Sequence, residues 1–298
     1  MRSAPDISTN GGNDCPVCDR ELAVRSLPMV VLSTPRGDQK WARCPGCGSF
    51  FAAERYDPEE EKEHTRKRPW GNAETGIMLN DEKRPMFDAL LRLLRRHARK
   101  ESTLLDVGCS FGGFLLRAQE EGYKVRGIDI VPEAVEYVHG RGIPCDLAGS
   151  VGDLDIPENS LGVITALDCN YYWPRQRKEL RAIRSRLRPD GILAVRTVDT
   201  SWAIQLGLWL RRFFPKAGLD LCRKAVYDHR VSVPVRSLLN IVRQEGFEIV
   251  YASPREAMPF RHNSLKVKTA YAIGRLVWRI AGYNLAPGFV FLARKRVS

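Results

Sequence analysis

The 298-residue sequence contains no apolar run of the roughly 18 residues that a helix needs to cross a bilayer. Its N-terminus, Met1-Arg2-Ser3-Ala4-Pro5-Asp6, lacks the apolar stretch of a secretory signal. Together these absences predict a cytoplasmic protein, with at most a peripheral relation to a membrane. No internal repeat is visible, which argues against a solenoid or propeller. Acidic residues are scarce in one region. Positions 1–200 carry 30 Lys and Arg against 30 Asp and Glu, whereas 201–298 carry 17 against 5, so the whole net charge of +12 sits in the last third. A basic surface attracts phosphate-bearing molecules or anionic membranes, the plain alternative being a solvated surface with no partner.

What is present begins with eight cysteines. Cys109, Cys145, Cys169 and Cys222 are scattered singly, as small buried hydrophobes of a reducing compartment usually are. The other four form Cys15-Pro16-Val17-Cys18 and Cys44-Pro45-Gly46-Cys47, separated by 25 residues. Each pair can clamp one side of a tetrahedral ion, and four thiolates with no open position suit structural zinc. Redox use of a single pair is the alternative, but two pairs, each with proline after its first cysteine, fit a ribbon better. A domain this small depends on its metal to fold.

The organisation predicted along the chain is a polar tail over 1–14, a zinc ribbon over 15–52, a charge-dense linker or cap over 53–84, and one large domain over 85–298. Pro85 is expected to open a helix whose apolar positions Met86, Phe87, Leu90, Leu91 and Leu94 repeat at helical spacing. Strands are expected at 104–107, 124–130, 163–167, 192–197, 247–251 and 289–294. Helices fall between them at 114–121, 132–139, 175–187 and 234–244, with a turn at Arg188-Pro189-Asp190-Gly191. Strands alternating with helices predict a mostly parallel sheet covered on both faces.

Between the first such strand and helix lies Asp106-Val107-Gly108-Cys109-Ser110-Phe111-Gly112-Gly113. Glycines there let the main chain approach a ligand closely. The next strand ends in Gly127-Ile128-Asp129, 21 residues after Gly108, where a carboxylate can accept from two vicinal ribose hydroxyls. The plain alternative for Asp129 is a helix N-cap. A dinucleotide-binding dehydrogenase would carry G-x-G-x-x-G, which this loop does not, having Ser110 at the middle position.

The run LLDVGCSFGGFLLRAQEEGYKVRGIDIVPEAVEYV resembles the first two motifs of class I S-adenosylmethionine-dependent methyltransferases. VITALDCNYYWPRQRKELRAIRSRLRPDGILAVRT and YDHRVSVPVRSLLNIVRQEGFEIV resemble later segments of that family in the same order. The resemblance spans roughly 86–298 and implies an α/β, Rossmann-like fold: a seven-stranded, mostly parallel sheet with helices on both faces, here beside a small N-terminal zinc ribbon. It implies that Asp106, Gly108, Ser110 and Gly112 wrap the methionine part of S-adenosylmethionine, with Cys109 also among the cofactor-binding residues. Asp129 would hold the ribose, Ile130 would pack on adenine, and Asp168 would line the methyl-transfer site. Val151 falls near where relatives carry an adenine-side Asp–Leu pair. Ser110 replaces the usual middle glycine, a change tolerated if its backbone stays in ordinary regions. Tyr171-Tyr172 stands where many relatives have Glu-His. The ribbon end RCPGCGSFF resembles that of enzymes of glycan, lipid or secondary-metabolite pathways more than that of ribosomal RNA methyltransferases.

The sequence thus predicts methyl transfer to a small-molecule, glycan or lipid-linked acceptor, at oxygen. The candidates for catalysis are His229, Asp168, Tyr171 and Tyr172, with His229 the natural general base near neutrality. Helical substrate caps are expected near 202–225 and 261–284. Residues 202–214 are apolar nearly all round, either a buried lid or an interfacial helix at an anionic membrane surface. RNA methylation using the ribbon and the basic third is one alternative. A non-catalytic cofactor-binding protein is another, suggested by the two tyrosines and by Gly162 where relatives often have aspartate.

Overall fold

A computed structural model describes residues 14–22, 29–54, 56–68, 71–99, 102–258 and 264–296. The expected tail lies outside these residues except for Asp14, as do positions 261–263 of the second expected cap. Three strands come first: β1 (Met29–Thr34), β2 (Gly37–Arg43) and β3 (Phe50–Ala52). Two helices follow, α1 (Pro58–Arg66) and α2 (Ala73–His97). Strands and helices then alternate as β4 (Thr103–Val107), α3 (Gly113–Glu120), β5 (Lys124–Asp129), α4 (Pro132–His139), β6 (Cys145–Leu147), β7 (Leu161–Leu167), α5 (Gln176–Arg186) and β8 (Leu187–Thr197). The remainder is α6 (Ser201–Leu210), α7 (Pro215–Val226), β9 (Val231–Ser232), α8 (Val235–Gln244), β10 (Phe247–Ser253), α9 (Leu265–Ala281) and β11 (Phe289–Lys295).

Seven strands form the main sheet in the order β10-β11-β8-β7-β4-β5-β6. The pairs among β6, β5, β4, β7 and β8 are parallel, while β11 runs antiparallel to both its neighbours. Alternate residues feed two cores. Leu105, Ile164, Leu193 and Phe291 face α5 and α8, whereas Leu104, Val163, Ile192 and Leu292 face α2 and α3. Helices on both faces follow, as parallel strands buried on both sides require. The order reverses between β4 and β7, so the carboxyl ends of these two strands open a crevice where open α/β sheets bind their ligands.

Two expected boundaries are corrected. The turn at 188–191 is absorbed into β8: Leu187 pairs with Leu161, then the register jumps and Ile192 pairs with Val163. Pro85 does not open a helix but lies inside α2, which starts twelve residues earlier at Ala73, where the Asn72 side chain accepts from the Thr75 N–H. Proline removes one backbone donor from that helix, and the apolar side it presents from Met86 to Leu94 packs on the sheet and holds it regardless. The charged run before it is ordered too. Asp57 caps α1 by accepting from Glu59 and Glu60 N–H, Pro58 fits the first turn, and Glu61 is buried.

The N-terminal ribbon is not self-standing. Its strands β1, β2 and β3 are joined by β9 from the far end of the chain, Phe51 pairing with Val231 and Phe50 with Ser232. One face of this four-stranded sheet, with Ala42 and Phe51, continues the main core. The other face, with Val30, Leu32, Trp41 and Phe50, is covered by Ile204 of α6 and by Cys222 and Val226 of α7. No described helix is long and apolar enough to cross a membrane.

Candidate active site at the strand ends

The crevice beyond β4, β5 and β7 holds a cavity of about 540 Å³. Its inner wall is the β4–α3 loop. Gly108 turns at φ 70°, and a Cβ there would come within 2.9 Å of the Cys169 side chain. Gly112 turns at φ 73° and packs on Val138, behind the wall and not on the cavity. Ser110 also adopts a positive φ, 50°, so the ordinary backbone anticipated for it is not what the loop uses. The loop is held by Asp129 at the end of β5. Ser110 N–H donates to Asp129 Oδ2 (2.8 Å) and Val131 N–H to Oδ1 (2.9 Å). The residue starting α4 as its cap is Val131, so Asp129 is not that helix's N-cap. Each of its oxygens keeps a lone pair for a further donor.

Asp106 lies deeper, accepting from the Thr165 hydroxyl at 2.5 Å. Burial pushes its carboxyl up to about 7, against the pull of the Thr165 hydrogen bond and with a contribution from the charge of Asp129. Cys109, Ser110, Ile130, Val131, Ala134, Ala148 and Gly149 complete this side. Val151 is fully buried in a short 3₁₀ turn fastened to Glu179, beneath the cavity instead of on it, and Ala148 and Gly149 line the wall in its place.

The opposite wall is aromatic. Tyr171, Tyr172 and Trp173 follow β7, with Tyr56, Glu61, Thr65 and Lys83 supplied by or beside α1 and α2, whereas Asn80 of α2 packs on Gly113 at the end of the β4–α3 loop. Asp168, at φ 61°, is clasped by Arg196 and lies 3.7 Å from Lys83 Nζ. Arg196, itself buried, also donates from Nε and Nη2 to the Ala257 carbonyl (3.1 and 2.9 Å). Tyr172 O–H donates to Asp228 Oδ2 (3.1 Å), whose other oxygen is 2.5 Å from His64 Nε2. His229 stacks on Tyr171 with ring centroids 4.1 Å apart and does not itself line the cavity. Burial lowers its imidazole to about 4, leaving it neutral at neutral pH. Its Nδ1 has no hydrogen-bond partner among the described residues.

The sequence reading did not find Glu61, Lys83, Arg196, His64 or Asp228. Glu61 and His64 sit in a charge run with the pattern of a solvated face. Lys83 precedes the proline taken as a helix start, and Arg196 lies inside a strand.

At the other end of the ribbon, the Sγ atoms of Cys15, Cys18, Cys44 and Cys47 lie within 4.8 Å of one another, with Cys15–Cys47 and Cys18–Cys44 both at 3.8 Å. Zinc–sulfur bonds of ~2.3 Å at tetrahedral angles separate sulfurs by ~3.8 Å, so the donor set fits zinc in type and spacing.

The sequence matches a family model described as a methyltransferase domain over residues 78–252. Solved structures of the same fold include a chain from the complex between the Haloferax volcanii Trm112 methyltransferase activator and its methyltransferase partner, at 14% identity, covering 72% of this chain and 91% of that one, TM-score 0.51. An S-adenosylmethionine-dependent methyltransferase from Thermotoga maritima is 17% identical over 78% of this chain and 99% of its own, TM-score 0.49. Another from Mesorhizobium loti is 18% identical over 69% and 96%, TM-score 0.48.

Proposed function

The chain belongs to the methyltransferase-domain family, as an S-adenosylmethionine-dependent enzyme, and from that membership we propose that it methylates a small-molecule, glycan or lipid-linked acceptor at oxygen. The observation that carries this reading is the division of the cavity into two unlike walls. On the inner wall, buried Asp106 and Asp129 meet a glycine-rich loop, a setting for a cationic, ribose-bearing donor. In this reading Asp129 accepts from the ribose hydroxyls, Ile130 packs on adenine, and Asp106 faces the cationic amino-acid end. The bound donor supplies an electrophilic methyl group on a sulfonium.

The outer wall suits a hydroxylated acceptor. Tyr171, Tyr172 and Trp173 offer ring faces for the C–H side of a sugar or similar ring, and Tyr56 and Thr65 offer polar partners for hydroxyls. Lys83, 3.7 Å from Asp168, favours an alkoxide developing beside it, in keeping with oxygen as the accepting atom. Asp168 is oriented by Arg196 and Lys83 to accept a hydrogen bond from the acceptor hydroxyl. His229 acts through Tyr171 as a positioning residue. The four thiolates of the ribbon hold a structural zinc ion. Transfer of labelled methyl groups into fractionated cell extract tests the assignment. Label is expected in a hydroxyl-rich small-molecule, glycan or lipid fraction; label confined to RNA would refute the acceptor class. Calorimetry should show Asp129→Ala weakening S-adenosylmethionine binding at least about tenfold, the scale of one lost charged hydrogen bond.

A further inference from the structure

We propose that the turn joining α6 to α7 is a docking tip that seats its aromatic side chains in the interface of an anionic lipid bilayer. The proposal deepens the acceptor reading by naming the surface at which a lipid-linked acceptor is met, and rests on that reading in this respect alone. The tip comprises Trp209, Leu210, Arg211, Arg212, Phe213, Phe214, Pro215 and Lys216. Trp209, Phe213 and Phe214 are 54%, 64% and 63% exposed, with Trp209 and Phe213 packed edge to face at 5.7 Å. Large aromatics left this open at one place, beside three cations, form an amphipathic group suited to the headgroup region. No acidic residue occurs from Thr200 to Leu219, and the one acid on the hairpin, Asp220 of α7, lies a turn beyond Lys216 and is paired with Arg223 at 3.1 Å, so the tip itself presents only cations to an anionic surface.

The tip is also mechanically fixed. Gly207 and Gly218 let α6 and α7 touch backbone to backbone, a Cβ on Gly218 falling 2.4 Å from Arg211 N and 2.5 Å from the Gly207 carbonyl oxygen. Below the crossing, Ala203, Ile204, Cys222 and Val226 are buried against the ribbon sheet. The hairpin then runs from Val226 directly into Asp228 and His229, which hold Tyr172 and Tyr171 of the cavity wall. A bilayer under the tip is thereby tied rigidly to the acceptor side of the cleft. A second copy is a poorer occupant, because a two-fold contact through the tip would set Arg211, Arg212 and Lys216 against their own equivalents.

The test is co-sedimentation of the full-length, zinc-loaded chain with phosphatidylcholine vesicles containing phosphatidylserine, against phosphatidylcholine alone and against single-stranded RNA. Binding to the anionic vesicles is expected, weakened by salt. Phe213→Ser with Phe214→Ser should lower it at least about tenfold, and Arg211→Gln with Arg212→Gln should abolish the preference for phosphatidylserine. Both pairs are exposed, so cofactor affinity and thermal unfolding should stay at the unaltered chain's values. Full recovery in the supernatant at low salt overturns the proposal, as does vesicle binding indifferent to the tip. RNA binding lost in the Phe213/Phe214 variant, without vesicle binding, assigns the tip to nucleic acid instead. Tip-dependent vesicle binding by a chain that fails to bind S-adenosylmethionine supports the tip while sinking the methyl-transfer reading.

Discussion

At Ser110 the backbone turns at φ 50°, in the left-handed region where a side chain costs about 1–2 kcal/mol. Glycine would remove that strain at the expense of about 0.5–1 kcal/mol of extra chain entropy. Ser110→Gly is therefore expected to raise the unfolding midpoint slightly, by up to about 1 kcal/mol in stability, with S-adenosylmethionine affinity unchanged. Calorimetric melting checks it, and a clear loss of stability would show that the serine hydroxyl, not the conformation, holds the loop. Asp106 gives a pH prediction. Burial holds its carboxyl near 7, above the ordinary value of 3.8. The folded chain then keeps a proton that the unfolded chain has released, so this residue's contribution to stability is full below about pH 4 and is lost as pH rises through about 7. A cationic ligand beside Asp106 reverses the preference, because it binds the carboxylate. Affinity for S-adenosylmethionine should thus fall about tenfold between pH 8 and pH 6, at about 1.4 kcal/mol per pH unit below the midpoint. Asp106→Asn should bind more weakly with a flat profile, and a flat profile in the unaltered chain would remove Asp106 from the cofactor's charged end. Both residues were visible in the sequence because strand, glycine turn and acid follow one another locally. Arg196 and Lys83 were not, since what makes them site residues is a shared partner, Asp168, distant in sequence from both.

Elements were legible where one segment carries its own signal. The short apolar runs of β4, β5 and β7 announce buried parallel strands, and α8 places Val235, Leu238, Leu239 and Val242 at helical spacing. They were illegible where the decisive partner is remote. The two-residue strand β9 has no pattern of its own, and becomes a strand because β3 offers an edge about 180 residues earlier. Proline at 85 sent the reading the wrong way, since its usual place is a helix's first turn and here the flanking packing overrides it. The ribbon's dependence on β9 and α6–α7 yields a prediction about metal removal. If zinc leaves, the chain segments carrying Cys15, Cys18, Cys44 and Cys47 lose the cross-link that replaces a core. β9 then loses its partner, and Ile204, Cys222 and Val226 lose the face they cover. Chelation should therefore lower the unfolding temperature by more than about 5 °C and expose α6–α7 to limited proteolysis. S-adenosylmethionine affinity should change less, because its candidate residues lie on β4 and β5. Equal melting with and without chelator would mean that the sulfurs hold no structural ion.

Across the whole molecule, three segments distant in sequence are joined by one buried cation. Arg36, at the tip of the β1–β2 hairpin, donates from both Nη atoms to Glu61 of α1 (2.8 and 2.7 Å) and from Nε to the Asp228 carbonyl (3.0 Å). Arg36, Glu61 and Asp228 have side chains 8%, 2% and 2% exposed, so solvent cannot replace a missing partner. Removing one side of such a pair leaves an uncompensated charge at a cost of about 3–5 kcal/mol. Arg230, at 3.5 Å from Glu61, offsets part of this, so Arg36→Ala is expected near the lower end. Arg36→Lys keeps the charge but not the planar fork, and should recover only a fraction. The functional consequence follows from where the clasped residues point. Glu61 lines the acceptor side of the cavity, and Asp228 accepts the hydroxyl of Tyr172, which lines it too. Arg36→Ala should accordingly raise KM for the acceptor well beyond any change in cofactor Kd, whereas a purely structural fastening would weaken both together through partial unfolding. Urea unfolding, calorimetry with S-adenosylmethionine and acceptor saturation kinetics on the same preparation separate these outcomes. Equal loss in both affinities would reduce the ribbon to a stabilising appendage, while loss confined to the acceptor would make it a wall of the active site.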